Sequence, residues 1–205
     1  MESYVTIHHY ASFEYEDRKS VFIGEATPVS NEEDALSFIE SVKKKYPDAR
    51  HHVYAYVLRD NSIMRFSDDR EPQGTAGMPV LDVIRKNGLC DVVIVVTRYF
   101  GGTLLGTGGL VRAYTAAALG AVENAEIITY DVYSTLNIET TYSDYQKFAP
   151  VFQGMGYRSD DVRYTDKVIL KGSIRKGAVD ELIDKLVQIT SGRVKVQIID
   201  EKFDF

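Results

Sequence analysis

The sequence predicts an α+β protein with two domains, residues 1–130 and 131–205. Its 205 residues exceed what one compact domain usually needs. From about residue 131 onward, strand and helix patterns follow the order βαββαβ, which is the ferredoxin-like arrangement. The earlier part is built differently and centres on a buried strand that leads through several glycines into a helix. These observations favour two differently built α+β domains.

The first half mixes strand and helix patterns. Ser30–Glu33 has the composition of a capping box, and the helix behind it should stop at Pro47. Pro79 opens a short helix that Gly88 ends. Strands are expected at 4–9, 20–26, 51–58, 62–66 and 92–96, and the third helix from about Leu110 to Ala125.

In the second half, strand and helix patterns alternate more regularly. Ser143–Gln146 should cap a helix that ends at Gly154 or Gly156, and Pro150 should bend that helix or end it early. A second helix lies between Gly177 and Gly192. Strands are expected at 133–140, 157–164, 167–175 and 193–199.

Composition restricts the class of protein. With 44% hydrophobic and 26% charged residues, the chain is typical of a globular domain. It has no apolar run of about 18 residues and no secretory signal pattern, so we expect no membrane association. The single cysteine, Cys90, fits a reducing cytoplasm. A formal net charge of -6 disfavours broad nucleic-acid binding but leaves room for a local basic patch.

The strongest functional signal lies in residues 91–114, where a strand leads through glycines into a helix. Free backbone amides at a helix N-terminus attract anions. The spacing fits neither a Walker motif nor a dinucleotide fingerprint. The alternative is that these glycines only make tight turns. The candidate anion-binding residues are Arg98, Tyr99, Gly101, Gly102, Gly106, Thr107, Gly108, Gly109 and Arg112.

A second candidate is an acidic turn in residues 67–79, where three carboxylates lie within four positions. Such a cluster can hold a divalent cation or pair with Arg98 or Arg112; otherwise it only caps a turn. We favour pairing with an arginine and predict no resident metal, with a divalent cation as the alternative. The supporting acidic cluster comprises Asp68, Asp69, Glu71, Gly74 and Thr75.

Arg50, His51 and His52 form a third candidate, at the edge of the same cleft. In a strand, His51 and His52 point to opposite faces, so they do not readily share one metal. One of them can face the site and titrate near neutral pH. The alternative is that both are packing residues.

The fourth candidate is the outer face of the second domain's sheet. Its strands place cations on the side away from the helices, with one tyrosine among them. RNA-binding sheets combine positive charge with stacking rings, whereas the alternative is a solvated face. The candidate RNA face comprises Tyr133, Lys167, Lys171, Arg175, Arg193 and Lys195.

Three motifs occur together within residues 15–128. They are Asp68-Asp69-x-Glu71-Pro72-x-Gly74-Thr75-Ala76-Gly77-x-Pro79, Val95–Gly102 followed by Leu105–Tyr114, and Asp48–His52. The combination resembles the signatures of the Impact family, an uncharacterised protein family of bacteria and eukaryotes. The second half is similar to the C-terminal domain of bacterial members.

The resemblance implies a first domain with the ribosomal protein S5 domain 2-like fold. It implies a second domain similar to the last domain of a translation elongation factor. Eukaryotic relatives of the first domain bind a translational activator and so restrain a starvation-sensing kinase, a pathway that bacteria lack. For bacterial members, binding to nucleic acid or ribosomes is the usual interpretation. The same broad fold includes small-molecule kinases.

The sequence departs from the family pattern at three positions. Arg70 stands where glycine is usual, and because a side chain resists positive φ, we expect a different turn there. Val21 replaces a usual arginine, and Val53 takes a position often held by cysteine.

We therefore expect a cytoplasmic protein that binds RNA, the ribosome or a translation-factor component through an anion-binding cleft. One alternative is an enzyme or sensor that takes a nucleotide or phosphorylated metabolite in that cleft, with a carboxylate as base. The other is a protein-binding adaptor. The sequence shows no recognisable nucleophile and base pair, and it leaves the oligomeric state open.

Overall fold

The computed structural model describes residues 3–59 and 63–205. The predicted start of a strand at Ser62 therefore lies outside the described residues. The chain forms two compact units, Tyr4–Thr129 and Tyr130–Phe205. Both contain helices and antiparallel strand pairs, so the predicted α+β class is confirmed. In the part of the chain that is described, no helix combines the length and apolarity needed to cross a membrane.

The first unit is built on a five-stranded antiparallel sheet with helices on both faces. Its elements are β1 (Tyr4–Ile7), β2 (Ala11–Asp17), β3 (Ser20–Pro28), α1 (Glu32–Lys45), β4 (His51–Val57), β5 (Met64–Ser67), α2 (Gly77–Lys86), β6 (Val92–Tyr99) and α3 (Gly106–Asn124). The sheet order is β2-β3-β6-β4-β5. The two cores, one on each face, are formed with α2 and α3 on one side and with α1 on the other.

Side-chain alternation along β6 positions the candidate site. Val96 belongs to the core beneath α2 and α3, whereas Val95 belongs to the core beneath α1. Because strand side chains alternate, Arg98 continues the first set at the end of the strand. Arg98 is paired with His51 of β4 on one side and with Phe22 of β3 on the other. Three side chains thus meet in one row at the sheet's end.

The glycine-rich stretch is shorter than predicted. We expected α3 to start at about Leu110, but it begins at Gly106 and takes Gly108 and Gly109 into its first turn. The error arises because glycine is a poor helix former, so its presence hides a helix start. The loop between β6 and α3 is therefore residues 100–105.

Two other features of the first unit differ from the sequence prediction. Strand β2 was missed because its charged residues, such as Glu14 and Glu16, are exposed at the edge of the sheet. The cap of α1 is Asn31, whose Oδ1 accepts a hydrogen bond from the Asp34 amide at 2.9 Å. The predicted capping box is thus shifted by one residue.

The second unit is a sheet with helices packed on one face. Its strands lie in the order β10-β7-β9-β8, all antiparallel to their neighbours. The core contains Leu136, Leu170 and Leu182. The elements are β7 (Ile127–Thr140), α4 (Tyr142–Tyr145), α5 (Phe148–Met155), β8 (Arg158–Tyr164), β9 (Val168–Arg175), a 3-10 turn (Lys176–Ala178), α6 (Val179–Thr190) and β10 (Lys195–Asp204).

Pro150 divides the first helix of this unit, as its position predicted. The helix is interrupted between Tyr145 and Phe148, and Pro150 is the third residue of α5. Proline has no amide hydrogen and its ring clashes with the carbonyl four residues earlier. In the first turn of a helix, that missing donor has no intrahelical partner to lose.

Candidate functional site

A buried ion pair lies at the end of β6. Arg98 Nη1 donates to Glu71 Oε1 at 2.5 Å, and the two side chains are only 7% and 4% exposed. The Tyr114 hydroxyl donates to the same oxygen at 2.8 Å. A buried ion pair is tolerated only when geometry and additional hydrogen bonds offset its desolvation. The second donor to Glu71 meets this requirement.

Tyr114 is a site residue that the sequence reasoning missed. Burial raises the pKa of its hydroxyl far above the usual value, and the neighbouring Glu71 carboxylate raises it further. The hydroxyl therefore stays protonated and acts as a donor. The sequence did offer one indication, because Tyr114 lies among apolar residues of α3. The hydroxyl of a buried tyrosine usually has a hydrogen-bond partner.

His51 faces the ion pair in a defined tautomer. Its Nδ1 lies 2.8 Å from the Asp69 carbonyl oxygen. Because a carbonyl only accepts, Nδ1 carries a hydrogen. Nε2 is then the basic nitrogen of the neutral ring, 4.0 Å from Glu71 Oε1. His52 points to the opposite face, where its Nε2 lies 3.1 Å from the Tyr46 carbonyl oxygen and the residue is buried.

The ion pair forms part of the wall of an open pocket of about 440 Å³. The lining combines charged side chains and His51 with Phe100 and three leucines. This combination suits a ligand with both an anionic and an apolar part. The lining residues are Arg50, His51, Glu71, Pro72, Arg98, Phe100, Leu104, Leu105, Gly106, Thr107 and Leu110.

The N-terminus of α3 opens onto the same pocket. Gly106 and Thr107 are lining residues and occupy the first turn of the helix. The cap position, Leu105, provides no side-chain hydrogen bond. The first amides of a helix have no intrahelical acceptor, and the helix dipole adds positive potential there. The pocket therefore brings helix amides together with Arg50 and with the Arg98 guanidinium, which is already paired with Glu71.

Some of the loop glycines have a structural explanation. A Cβ on Gly101 would lie 2.1 Å from the carbonyl carbon of Lys19, so the backbone approach allows no side chain. Gly102 and Gly106 adopt φ values of +87° and +70°, which L-residues rarely adopt. These three glycines are needed for the fold of the loop itself.

Gly108 has no such explanation. A Cβ there would meet only Arg112 Nη1, at 3.8 Å, and its φ is not positive. Gly109 differs, because a Cβ on it would lie 2.8 Å from Leu105 Cβ. The space beside Gly108 is open to an approaching molecule.

Several residues predicted for the anion site do not line the pocket. Arg112 is exposed on α3, so the expectation that both flanking arginines face the site is wrong for this residue. Tyr99 follows Arg98 on β6 and points to the opposite face of the sheet. Those outside the lining set are Tyr99, Gly101, Gly102, Gly108, Gly109 and Arg112.

The acidic turn divides its carboxylates among different partners. Asp68 accepts hydrogen bonds from the amides of Gly74, Ala76 and Gly77 at 2.8–3.1 Å, which holds the turn against the start of α2. Asp69 Oδ2 accepts from the His52 amide at 2.7 Å. These two aspartates therefore bind backbone amides and do not pair with Arg98 or Arg112 as expected.

Two residues complete the description of this turn. Thr75 Oγ1 donates to the Pro72 carbonyl at 2.7 Å. Arg70 adopts a φ of +69°, and Asp69 before it a φ of +39°. Arg70 thus adopts the positive φ that we expected its side chain to resist. The Arg70 side chain donates to the Arg50 carbonyl at 3.0 Å.

The candidate RNA face of the second unit lacks the stacking ring that we predicted. Tyr133 is only 3% exposed, and the Arg158 guanidinium lies 4.5 Å from its ring centre. No base can stack on a covered ring. Arg193 is also misplaced, because its Nε and Nη2 donate to the buried Asp144 carboxylate at 3.0 and 2.9 Å. It anchors α4 through this ion pair.

The remaining cations of this face lie beside carboxylates. Lys167 and Lys195 both pair with Glu139. Arg175 pairs with Asp131 at 3.3 Å, and Lys171 lies opposite Asp161 in the ladder of β8 and β9. The face therefore carries mixed charge instead of the basic surface that was predicted.

The fold and site define a two-unit α+β protein with a charged pocket at the end of the first unit's central strand. The Impact N-terminal domain family matches residues 18–122, and a domain of unknown function (DUF1949) matches residues 138–193. The chain belongs to the IMPACT family, which confirms the resemblance seen in the three motifs. All the pocket residues lie within the first matched range.

Bacterial relatives match along most of the chain. The IMPACT family member YvyE of Bacillus subtilis is 30% identical over 198 residues, covering 96% of this chain and 91% of that protein. YigZ of Escherichia coli is 34% identical, with 91% and 93% covered. Protein IMPACT of Oryctolagus cuniculus is 32% identical over 94 residues, 44% of this chain and 30% of that protein. A solved structure titled "Crystal structure of an hypothetical protein" is 31% identical, with a TM-score of 0.61, 98% of this chain and 100% of that chain covered.

Proposed function

We propose that this IMPACT-family member is a translation-related binding protein that holds a phosphate-bearing segment of RNA in the pocket of its first unit. One observation carries this proposal: the buried Arg98–Glu71 pair and the first amides of α3 line the same open pocket. A phosphate placed there would accept hydrogen bonds from helix amides and from guanidinium groups. Arg50 on the pocket wall adds a further cation.

The apolar wall of the pocket and the cations beyond it favour a ligand longer than one nucleotide. Phe100 is 49% exposed and Leu104 is 81% exposed, which leaves an apolar wall against which a base can stack. Arg112 lies beside the exposed Gly108. Arg70 is bonded to the Arg50 backbone. A ligand confined to the pocket would not use Arg70 or Arg112, but flanking phosphates of an RNA strand would.

The link to translation rests on the family resemblance. We propose that the first unit has the ribosomal protein S5 domain 2-like fold. The ferredoxin-like assignment of the second unit is supported by its strand order, in which the fourth, first, third and second strands are neighbours. An RNA-containing partner such as the ribosome, met in the cytoplasm, is consistent with these folds and with the single, buried Cys90.

A second candidate function is the binding or turnover of a nucleotide or phosphorylated metabolite. The pocket volume of about 440 Å³ falls within the usual range for small-molecule sites. His51 lines this pocket, with its Nε2 4.0 Å from Glu71 Oε1, and histidine is the most frequent general acid or base in enzymes. This candidate uses the same pocket but makes no use of Arg112.

Fluorescence anisotropy with a labelled random-sequence RNA of about 12 nucleotides tests the proposal. We expect Arg112→Ala to weaken RNA binding and to lower the slope of log affinity against log salt by about 0.7, the value for one phosphate contact on a single strand. Uridine monophosphate binding, measured by calorimetry, should not change. Gly108→Ala should weaken RNA binding without disturbing the fold. Arg85→Ala, an exposed arginine on α2, is the matched control.

The outcomes separate the candidates. Two results together would favour the small-molecule function. Arg98→Lys would abolish the binding of uridine monophosphate, and Arg112→Ala would leave RNA binding unchanged. Binding of neither probe to the folded wild type would overturn both and leave a protein-binding adaptor.

A further inference from the structure

Three side chains of the metal-binding type converge at the C-terminal end of α3, away from the pocket. Within residues 3–59 and 63–205, His8, His9 and Glu126 form the one group of three whose candidate ligand atoms all lie within 4.8 Å of one another. His8 Nδ1 is 3.6 Å from Glu126 Oε2. The centres of the two imidazole rings are 5.5 Å apart. All three residues are exposed, so an ion from solvent can reach them.

Backbone hydrogen bonds hold these three residues together. The His8 amide lies 3.0 Å from the Ala125 carbonyl and 2.8 Å from the Glu126 carbonyl, and the His9 amide lies 3.3 Å from the Ala125 carbonyl. Glu126 adopts a φ of +58°, which non-glycine residues seldom adopt without support from their surroundings. Because these hydrogen bonds hold the backbone, metal binding has to order only the three side chains.

The location favours a cation for a second reason. Helix α3 ends at Asn124, and its 19 residues direct the negative end of the helix dipole toward this cluster. Two imidazoles and one carboxylate form a ligand set known from zinc sites, with a fourth position left for water. Ligand atoms of a tetrahedral zinc ion lie about 3.3 Å apart, close to the distance between His8 and Glu126.

The geometry points to a surface site for Zn²⁺ formed by His8, His9 and Glu126. Bound metal would join the chain after β1 to the end of α3, and so stabilise the first unit. Mg²⁺ and Ca²⁺ should bind far more weakly, because these hard ions prefer oxygen ligands. This inference is independent of the RNA-binding proposal, since it uses none of the pocket residues.

Calorimetric titration of the tag-free protein with zinc chloride tests the site. We expect one saturable site per chain, weakened about tenfold or more by His9→Ala and by Glu126→Gln. Glu123→Gln, an exposed glutamate at the same helix end, is the matched control and should leave Zn²⁺ affinity unchanged. Equal affinity in the wild type and all three variants, or no saturable binding by the wild type, would overturn the assignment.

Thermal unfolding provides a second readout. Zn²⁺ should raise the melting temperature of the wild type and of Glu123→Gln, and a chelator should reverse the shift. Glu126→Gln should lose this shift while melting at the wild-type temperature without metal. A shift that is equal in all variants would place the metal elsewhere and contradict the proposal.

Discussion

The pocket of the first unit and the outer sheet face of the second contain similar charged residues in opposite situations. At the pocket, Arg98 and Glu71 are buried together and line an open cavity. On the sheet face, pairs such as Arg163 with Asp161 are exposed, with 76% and 49% of the side chains accessible. An exposed pair contributes little to stability, whereas the loss of one partner from a buried pair is costly. The contribution of a charged residue at a strand end to stability therefore cannot be predicted until its burial is known.

The largest expected effect comes from Glu71→Ala, which leaves the buried Arg98 without its carboxylate. The free energy of unfolding should fall by about 3–5 kcal/mol. Urea denaturation followed by circular dichroism measures the loss. Arg163→Ala removes an exposed partner and should cost less than about 1 kcal/mol. Equal losses in the two variants would remove the contrast between these regions.

Gly101→Ala tests the close backbone approach beneath the pocket loop. The new Cβ would lie 2.1 Å from the Lys19 carbonyl carbon, so the backbone must move. We expect a loss of about 1–3 kcal/mol, the usual cost of overpacking. A variant as stable as the wild type in urea would show that the loop adapts without cost.

Arg193→Ala tests the structural role assigned to this arginine in the second unit. The hydrogen bond from Arg193, and to a lesser extent that from Lys147, holds the pKa of the Asp144 carboxyl well below its usual range. A lowered folded-state pKa contributes stability above the unfolded value of about 4 and loses it as pH falls toward the folded value. The drop in unfolding free energy between pH ~7 and pH ~3, measured in urea, should therefore be smaller in Arg193→Ala. We expect the RNA affinity of this variant to equal that of the wild type. A loss of RNA binding by the folded variant would instead support the RNA-binding face predicted from the sequence.

Gly108→Ala has the smallest expected effect on stability and the opposite sign to Gly101→Ala. Its Cβ meets no atom closer than 3.8 Å, and alanine is the better helix former. We expect a gain of about 0.5–1 kcal/mol in the free energy of unfolding. A destabilised variant would mean that Gly108, like Gly101, is needed for the fold.

Local patterns predicted much of the architecture but little of the site. Apolar residues in 92–96 marked the core of β6, and strand alternation placed His51 and His52 on different faces. The start of α3 was missed because glycines hide a helix N-terminus. The pairing of the acidic turn with an arginine was predicted correctly for Glu71 and Arg98. The roles of Asp68 and Asp69 were misjudged, because both bind backbone amides. No side-chain pattern in the sequence reports such bonds.

The sequence alone determined the type of most elements, the two-part organisation and the family, because periodicity and motifs act over a few neighbouring residues. The tertiary structure decided which charges are buried. Glu71 contacts Arg98, 27 residues away in the sequence, and Tyr114, 43 residues away. Both contacts exist only because β6, α3 and the acidic turn come together. The cost of burying a charge depends on such distant partners. The sequence therefore predicted a cleft, but not which of its arginines faces the pocket.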